Sequence, residues 1–176
     1  HIYNMNDIRN YFKVIPNEKK ETETPMSLEN NSITIFTDGS SLNNGQKNKY
    51  QAGGIGVYFE DTKEMISEKL TGKITNNIAE LKACIKGINH VVNRDNYKNN
   101  TIILYSDSEY VINSMTKWAS TWKKNDWKKY DKKKGKVEIK NKDLIIELYT
   151  LYNTYPITFI HTKAHGTKPS MKNIKE

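Results

Sequence analysis

The alternation of hydrophobic and polar positions predicts where the first strands of the chain lie. From Ser32 to Asp38 the residues alternate and are rich in β-formers, so we expect a strand there that Gly39 ends. Residues 52–59, with glycines at their start, and residues 64–70 predict two more strands. Because the links are short, we expect the three strands to form an antiparallel meander.

The pattern then changes to a helical period. Apolar residues recur at helical spacing from Asn77 to Val92, which predicts a long helix. The elements expected after it are a strand over 101–106, a helix from Ser108 to about Trp118 with a short second helix, a helix over 143–152 and a strand over 157–161. This order predicts an α/β fold with a mixed sheet, in which an antiparallel meander lies beside parallel strands.

The first part of the chain has a different composition. It is polar, carries a mixed-charge stretch over residues 17–24, and is interrupted by Pro16 and Pro25. We expect a flexible N-terminal segment over 1–32 and one folded domain over 33–176. The chain begins with His rather than Met, and we expect that an N-terminal piece has been removed.

Composition excludes several classes of protein. Cys84 is the single cysteine and cannot form an internal disulfide, and four histidines spread along the chain offer no zinc cluster with it. No apolar run approaches the roughly 18 residues of a membrane span, and no secretory signal is visible. We therefore expect no membrane contact and a reducing intracellular compartment: nucleus, cytoplasm or a viral replication site.

The basic charge of the chain is concentrated in one segment. The net charge is +8, and the segment from Lys117 to Lys142 alone accounts for it, with eleven lysines against Asp126, Asp131 and Glu138. We call this segment the basic lobe. Lysines on a solvated surface are common, but a concentrated basic lobe on a neutral body favours a polyanionic partner.

Three acidic residues lie in predicted strands and helices that face the core, where charged side chains are not expected. Asp38 closes the first predicted strand, Glu80 lies in the first turn of the long helix, and Asp107 closes the fourth strand. Such positions converge easily in α/β folds, and the cluster would be unstable without a cation. Oxygen ligands favour Mg²⁺ or Mn²⁺. Taken singly, each acid has an ordinary explanation. Asp38 with Gly39 is a common turn pair, Glu80 near a helix start interacts favourably with the helix macrodipole, and Asp107 with Ser108 is typical of a helix cap.

Four motifs occur in an order and at a spacing that resemble type 1 ribonuclease H over about residues 33–170. The motifs are Thr37-Asp38-Gly39-Ser40, Thr75-Asn76-Asn77 with Glu80-Leu81, Ser106-Asp107-Ser108 with Tyr110-Val111, and the Trp/Lys segment from Trp118 to Lys133. The resemblance implies a ribonuclease H-like fold with a five-stranded mixed sheet flanked by helices. It also implies endonucleolytic hydrolysis of the RNA strand of RNA–DNA hybrids with two divalent ions.

The resemblance also implies roles for residues of this chain. Asp38, Glu80 and Asp107 would bind the ions, and His165 would assist proton transfer or product release. Two ions roughly 3.5–4 Å apart suit phosphodiester hydrolysis without a protein nucleophile. The residues expected to contact the hybrid, by its shape rather than its sequence, are Asn43, Asn44, Thr75, Asn76, Asn77, Ser108, Glu109, Trp118, Trp122, Lys123, Lys124, Lys132 and Lys133. Of the two nearby tryptophans, we expect Trp122 to pack on the sugars of the DNA strand.

Two positions depart from the family pattern. Family members carry a fourth carboxylate on a final helix, about ten residues beyond the mobile histidine that His165 matches. In this chain Lys175 occupies that position, beside Glu176, and the final helix is absent. Either the chain was cut in or before that helix, which we favour, or the natural protein lacks it; Glu176 is a candidate replacement ligand. Glu109 stands where the family usually has a neutral residue, and it either demands a metal or tunes the pH dependence.

The N-terminal segment carries a further motif. Met5, Ile8, Tyr11 and Phe12 resemble the PIP box, by which proteins bind a sliding clamp of the PCNA kind, although the usual leading Gln is replaced by Met5. The last three would form one apolar face of a helical turn. The alternative is that they pack back onto the folded domain.

We therefore expect a monomeric, metal-dependent ribonuclease H. Two alternatives stay open: a catalytically inactive module that binds hybrids or acts as a scaffold, and the nuclease domain of a larger replication or retroelement protein.

Overall fold

The computed structural model describes residues 32–42 and 52–163. Its elements are β1 (Ile33–Leu42), β2 (Ala52–Phe59), β3 (Met65–Thr71), α1 (Asn76–Val92), β4 (Ile102–Ser106), α2 (Glu109–Asn113), a π-helical turn (Ser114–Trp118), α3 (Ala119–Lys124), β5 (Lys128–Asp131), β6 (Gly135–Glu138), α4 (Lys142–Thr154) and β7 (Ile157–His161). The predictions for the motif at residues 5–12, Asn43, Asn44, His165 and Glu176 lie outside the described residues.

Five strands form one mixed sheet in the order β3-β2-β1-β4-β7. β1 pairs antiparallel with β2, and β2 with β3, while β4 lies parallel to both β1 and β7. This confirms the predicted meander beside parallel strands, and β2 and β7 have the predicted bounds. Within residues 32–42 and 52–163, no helix is both long and apolar enough to cross a membrane.

Helices α1 and α4 cover one face of the sheet and enclose the main core. Ile35 and Val57 of the sheet pack there with Ile88 of α1 and Leu148 of α4, and all four are fully buried. Gly87 lets α1 lie close to the sheet, because a Cβ there would be 3.0 Å from Val57 Cγ1 and 3.1 Å from Ile35 Cδ1. Burial of each large apolar side chain contributes roughly 1.5–3 kcal/mol, so this core holds α1 firmly against β1.

The prediction that Gly39 ends the first strand is wrong. β1 continues to Leu42, and Gly39 pairs with Ile55 of β2. The glycine instead permits helix packing, because a Cβ at Gly39 would overlap the backbone of Ala79 and Glu80 in α1. β1 and α1 therefore meet backbone to backbone at a position where only glycine fits.

The helix predicted from Ser108 to Trp118 is interrupted. α2 ends at Asn113, and the backbone widens into the π-helical turn before α3. Ser114 and Met115 of that turn are buried, so the wider turn keeps this side of the helix against the core while the chain continues toward α3.

The β5–β6 hairpin was not predicted, because its strands lack the alternating apolar pattern. None of the side chains of β5 is fully buried. The turn depends on Asp131, whose Oδ1 accepts hydrogen bonds from the backbone N of Lys133 at 2.9 Å and of Lys134 at 3.0 Å. Gly135 follows with φ +72°, which glycine adopts without strain. Turn chemistry rather than hydrophobic burial thus forms the hairpin.

Gly39→Ala should destabilise the fold by about 3 kcal/mol or more, because the added methyl group meets rigid helix backbone. Gly54→Ala on β2 is the matched control, since the nearest atom to its Cβ would be Glu68 O at 3.6 Å, an ordinary contact. In urea unfolding, the midpoint of Gly54→Ala should stay near that of the parent while that of Gly39→Ala falls. Equal midpoints for the two variants would contradict the close approach of β1 and α1.

Candidate active site

Two parallel strands bring Asp38 and Asp107 to the same end of the sheet. The ladder between β1 and β4 ends at the pair Phe36 and Tyr105, and each aspartate lies two residues beyond its own strand's last position in that ladder. Thr37 Oγ1 donates a hydrogen bond to the Tyr105 carbonyl at 3.2 Å, which joins the strands where the ladder ends. The two carboxylates therefore converge, as the sequence predicted.

Helix α1 supplies the third carboxylate, Glu80. The helix begins at Asn76, with Thr75 as N-cap, whose Oγ1 accepts from the backbone N of Ile78 at 3.2 Å. Glu80 is thus in the second turn of the helix, not in the first as predicted, and the macrodipole explanation for this acid fails. Asn76 Oδ1 accepts from Ser41 N at 2.8 Å and from Ser41 Oγ at 2.9 Å, which ties the start of the helix to β1.

The three carboxylates form one cluster. One oxygen each from Asp38, Glu80 and Asp107 lies within 4.8 Å of the others. Glu80 is only 8% exposed, and burial, followed by repulsion from Asp38 and Asp107, raises the pKa of its carboxyl group to about 9. The backbone N–H of Gly39 donates a hydrogen bond to this carboxyl group and opposes the shift. The fold thus holds Glu80 where its ionised form needs a positive charge nearby.

A divalent cation fits this donor set. The buried Oε2 atom of Glu80 has no hydrogen-bond partner within the described part of the chain. Three carboxylates without a sulfur or imidazole ligand are the donors that Mg²⁺ and Mn²⁺ prefer. Asp38, Glu80 and Asp107 can therefore hold such an ion, which would satisfy Oε2 and remove the repulsion within the cluster.

The loop after β4 keeps Asp107 directed at the cluster. Ser108, not Asp107, caps α2: its Oγ accepts from the backbone N of Val111 at 3.2 Å, so the capping explanation for Asp107 fails. His161 Nε2 lies 3.2 Å from the Asp107 carbonyl oxygen, to which it can only donate. Sequence reasoning missed His161, because its pairing opposite Ser106 is a register that only the structure shows.

The predicted hybrid-contact residues in the described part of the chain lie at the start of α1, at the start of α2 and in the basic lobe. Thr75, Asn76 and Asn77 surround the N-terminus of α1 and are exposed beside the carboxylates. Lys123, Lys124, Lys132 and Lys133 are also exposed, on α3 and in the turn of the hairpin. Glu109 is exposed in the first turn of α2, directly after Ser108.

Trp118 and Trp122 lie against each other, with ring centroids 5.7 Å apart. Trp122 packs against the core but stays half-exposed, whereas Trp118 is the more open ring at 40% exposure. Contact of Trp122 with the sugars of the DNA strand stays a prediction. Both line an open groove of about 340 Å³ between the helices and the hairpin, with Tyr110, Lys129, Ile139 and Lys140. Lys129 and Lys140 were missed as site residues, because a lysine-rich sequence does not show which lysines face one groove.

The sequence matches the RNase H family model over residues 30–174, which is most of the chain. The chain belongs to the RNase H family. It is 37% identical over 135 residues to Ribonuclease H of Clostridium botulinum, a match that covers 76% of this chain and 84% of that protein. It is 33% identical over 139 residues to Ribonuclease HI of Synechocystis, covering 77% and 78%. These matches confirm the type 1 resemblance.

Solved RNase H structures share the fold. The crystal structure of LC9-RNase H1, described as a type 1 RNase H with the type 2 active-site motif, aligns with a TM-score of 0.59 and 22% identity, covering 80% of this chain and 66% of that one. The structure of LC11-RNase H1 in complex with RNA/DNA hybrid aligns with a TM-score of 0.53 and 22% identity, covering 74% and 85%. The mixed sheet and its helices are therefore those of the family.

The raised pKa of Glu80 makes the stability of the metal-free protein depend on pH. Folded Glu80 keeps its proton to about pH 9, while the unfolded carboxyl group loses it near the ordinary value of 4.5. Between these values the folded state binds more protons, so stability falls as pH rises, by at most about 1.36 kcal/mol per pH unit from this group.

In EDTA, Glu80→Gln should flatten the fall in unfolding free energy between pH 5 and pH 9, as measured by urea titrations at several pH values. Glu147→Gln, on the exposed side of α4, is the control and should retain the slope of the parent. Parallel curves for the parent and Glu80→Gln would show that Glu80 ionises normally in the folded protein.

Proposed function

We propose that this protein hydrolyses the RNA strand of RNA–DNA hybrids endonucleolytically and requires Mg²⁺ or Mn²⁺. The observation that carries the proposal is the carboxylate cluster of Asp38, buried Glu80 and Asp107 in a chain of the RNase H family. Relatives of similar length are named ribonuclease H, and a neighbouring fold has been solved with an RNA/DNA hybrid.

The three carboxylates would hold two divalent ions. Bound there, the ions supply activation of water and relief of charge on the phosphodiester and the leaving oxygen. The protein contributes the placement: the Gly39 amide and the close approach of α1 orient Glu80, and the end of β4 with His161 orients Asp107. His165 and Glu176 lie outside the described residues, and their roles in proton transfer and as a ligand stay predictions.

Two surfaces would grip the hybrid. The N-terminus of α1, with Thr75 and Asn77, offers backbone and side-chain donors beside the carboxylates, which suits 2′-OH and phosphate contacts of the RNA strand. The groove between Trp118 and the hairpin offers an open aromatic ring together with Lys129 and Lys140, which suits the sugars and phosphates of the DNA strand. Such contacts read the shape of the hybrid and not its sequence.

Asp38→Asn should reduce cleavage of a hybrid by at least about 100-fold, because it removes metal-binding charge from the cluster. Binding of the hybrid, measured by fluorescence anisotropy, should stay close to that of the parent, since no phosphate contact is lost. Asp143→Asn, in the first turn of α4 and exposed, is the control and should cleave normally.

Cleavage by Asp38→Asn at the parental rate with Mg²⁺ would refute the assigned site. A parent chain that binds the hybrid but fails to cleave it with either ion would refute the proposed activity and support the alternative of an inactive hybrid-binding module.

Replacing Lys132, Lys133 and Lys134 with Ala should weaken hybrid binding equally for all sequences. It should also reduce the slope of log K against log salt by up to about 0.9 for each lost phosphate contact. The matched control replaces three exposed lysines outside the basic lobe, Lys69, Lys86 and Lys98. The same salt slope in both triple variants would assign the lysines of the hairpin to a merely solvated surface.

A further inference from the structure

One apolar side chain from each strand of the sheet lies in a single row. Phe36 of β1 pairs with Tyr58 of β2 and Tyr105 of β4, and Met65 of β3 and Ile160 of β7 continue the same register. The rings of Phe36 and Tyr105 stack with centroids 4.7 Å apart, and those of Phe36 and Tyr58 lie 6.2 Å apart. We call these five residues the apolar row.

The apolar row is on the sheet face opposite α1 and α4. Ile35, the neighbour of Phe36 in β1, packs in the core with those helices, and successive side chains of a strand point to opposite faces. Phe36 itself belongs to neither core cluster of the described residues. The helices that enclose the core therefore do not cover this row.

Phe36 is nevertheless only 7% exposed. Side chains in a strand stand roughly perpendicular to the sheet, so neighbouring rings such as Tyr58 and Tyr105 cover the flanks of Phe36 but not its outer end. An exposed apolar row across five strands would also be a liability for association. The burial of Phe36 is best explained by a further segment of chain on this face.

The two terminal segments outside the described residues differ in their apolar content. Residues 164–176 contain only Met171 and Ile174 as large apolar side chains, whereas residues 1–31 place Ile8, Tyr11 and Phe12 at helical spacing. The three large residues of the N-terminal segment form one apolar face, which matches the aromatic and aliphatic groups of the apolar row far better than the two apolar residues of the C-terminal segment do.

The N-terminal segment can also reach the apolar row. Twenty residues separate Phe12 from Ile33, where β1 begins, and the row is three residues further along β1. Three strand residues span only about 10 Å. A tether of this length keeps the segment at an effective concentration of order millimolar, so a modest intrinsic affinity is sufficient for docking.

We propose that Ile8, Tyr11 and Phe12 pack as one helical face onto the apolar row. This interaction within the chain uses the three side chains that carry the predicted clamp motif. Docking on the sheet therefore withholds the motif from a sliding clamp, and the two uses of the segment exclude each other. The inference does not depend on the proposed hydrolytic activity.

The test is paramagnetic broadening in the full chain. A nitroxide on Lys13→Cys, next to the motif, should remove most of the amide signal intensity of Ile103, Tyr105 and Ile160, and leave that of Lys86 on the outer side of α1 intact. Cys84 is fully buried and does not compete for the label. The matched control adds Tyr11→Ala and Phe12→Ala to the labelled chain and should restore the lost intensity.

Several results would overturn the proposal. Undiminished signals from the apolar row in the Lys13→Cys chain would do so, as would broadening that persists in the Tyr11→Ala, Phe12→Ala background. Broadening from a nitroxide on Lys172→Cys instead would assign the face to the C-terminal segment. Broadening only between a labelled chain and a separate isotope-enriched chain would assign it to a second copy.

Discussion

Repulsion among three carboxylates is the constraint on which the rest of this structure depends. Asp38, Glu80 and Asp107 bring oxygens within 4.8 Å of one another, and Glu80 is almost completely buried. A chain selected for stability alone would not bury an acid whose pKa rises to about 9 for want of a counter-charge. The arrangement becomes favourable when a divalent cation binds to it. The repulsion and burial that destabilise the metal-free protein therefore favour binding of the cation, which removes them.

The surrounding fold makes this arrangement rigid. Parallel pairing of β1 with β4 brings two aspartates to one end of the sheet, and the fully buried core prevents α1 from moving Glu80 away. Gly39 joins these parts, because it allows β1 to touch the helix backbone and its amide donates to Glu80. A site that must hold like charges together needs such a scaffold, since the charges would otherwise separate.

Much of the fold followed from sequence pattern, and the rest depended on interactions that a pattern does not record. β2 and β7 have the predicted bounds because apolar periodicity determines them. The β5–β6 hairpin was invisible, since the hydrogen bonds of Asp131 form its turn and hardly any apolar surface is buried in it. Gly39 was assigned to a turn, because its close contact with α1 exists only in three dimensions. The sequence predicts the convergence of the three acids, because two of them close predicted strands and the third lies near the start of the predicted long helix. It does not predict the packing of Trp122 against the core or the contact of His161 with Asp107, because both exist only in the folded chain.

Proton release on metal binding tests the central claim most directly. Calorimetric titrations of Mn²⁺ into the protein at pH 7, in buffers of different ionisation enthalpy, count the protons that leave when the ion binds. If Glu80 is protonated until a cation compensates the cluster, the parent should release close to one proton per site and Glu80→Gln close to none. Tight binding to the parent without proton release would mean that Glu80 is already ionised, and would contradict the account.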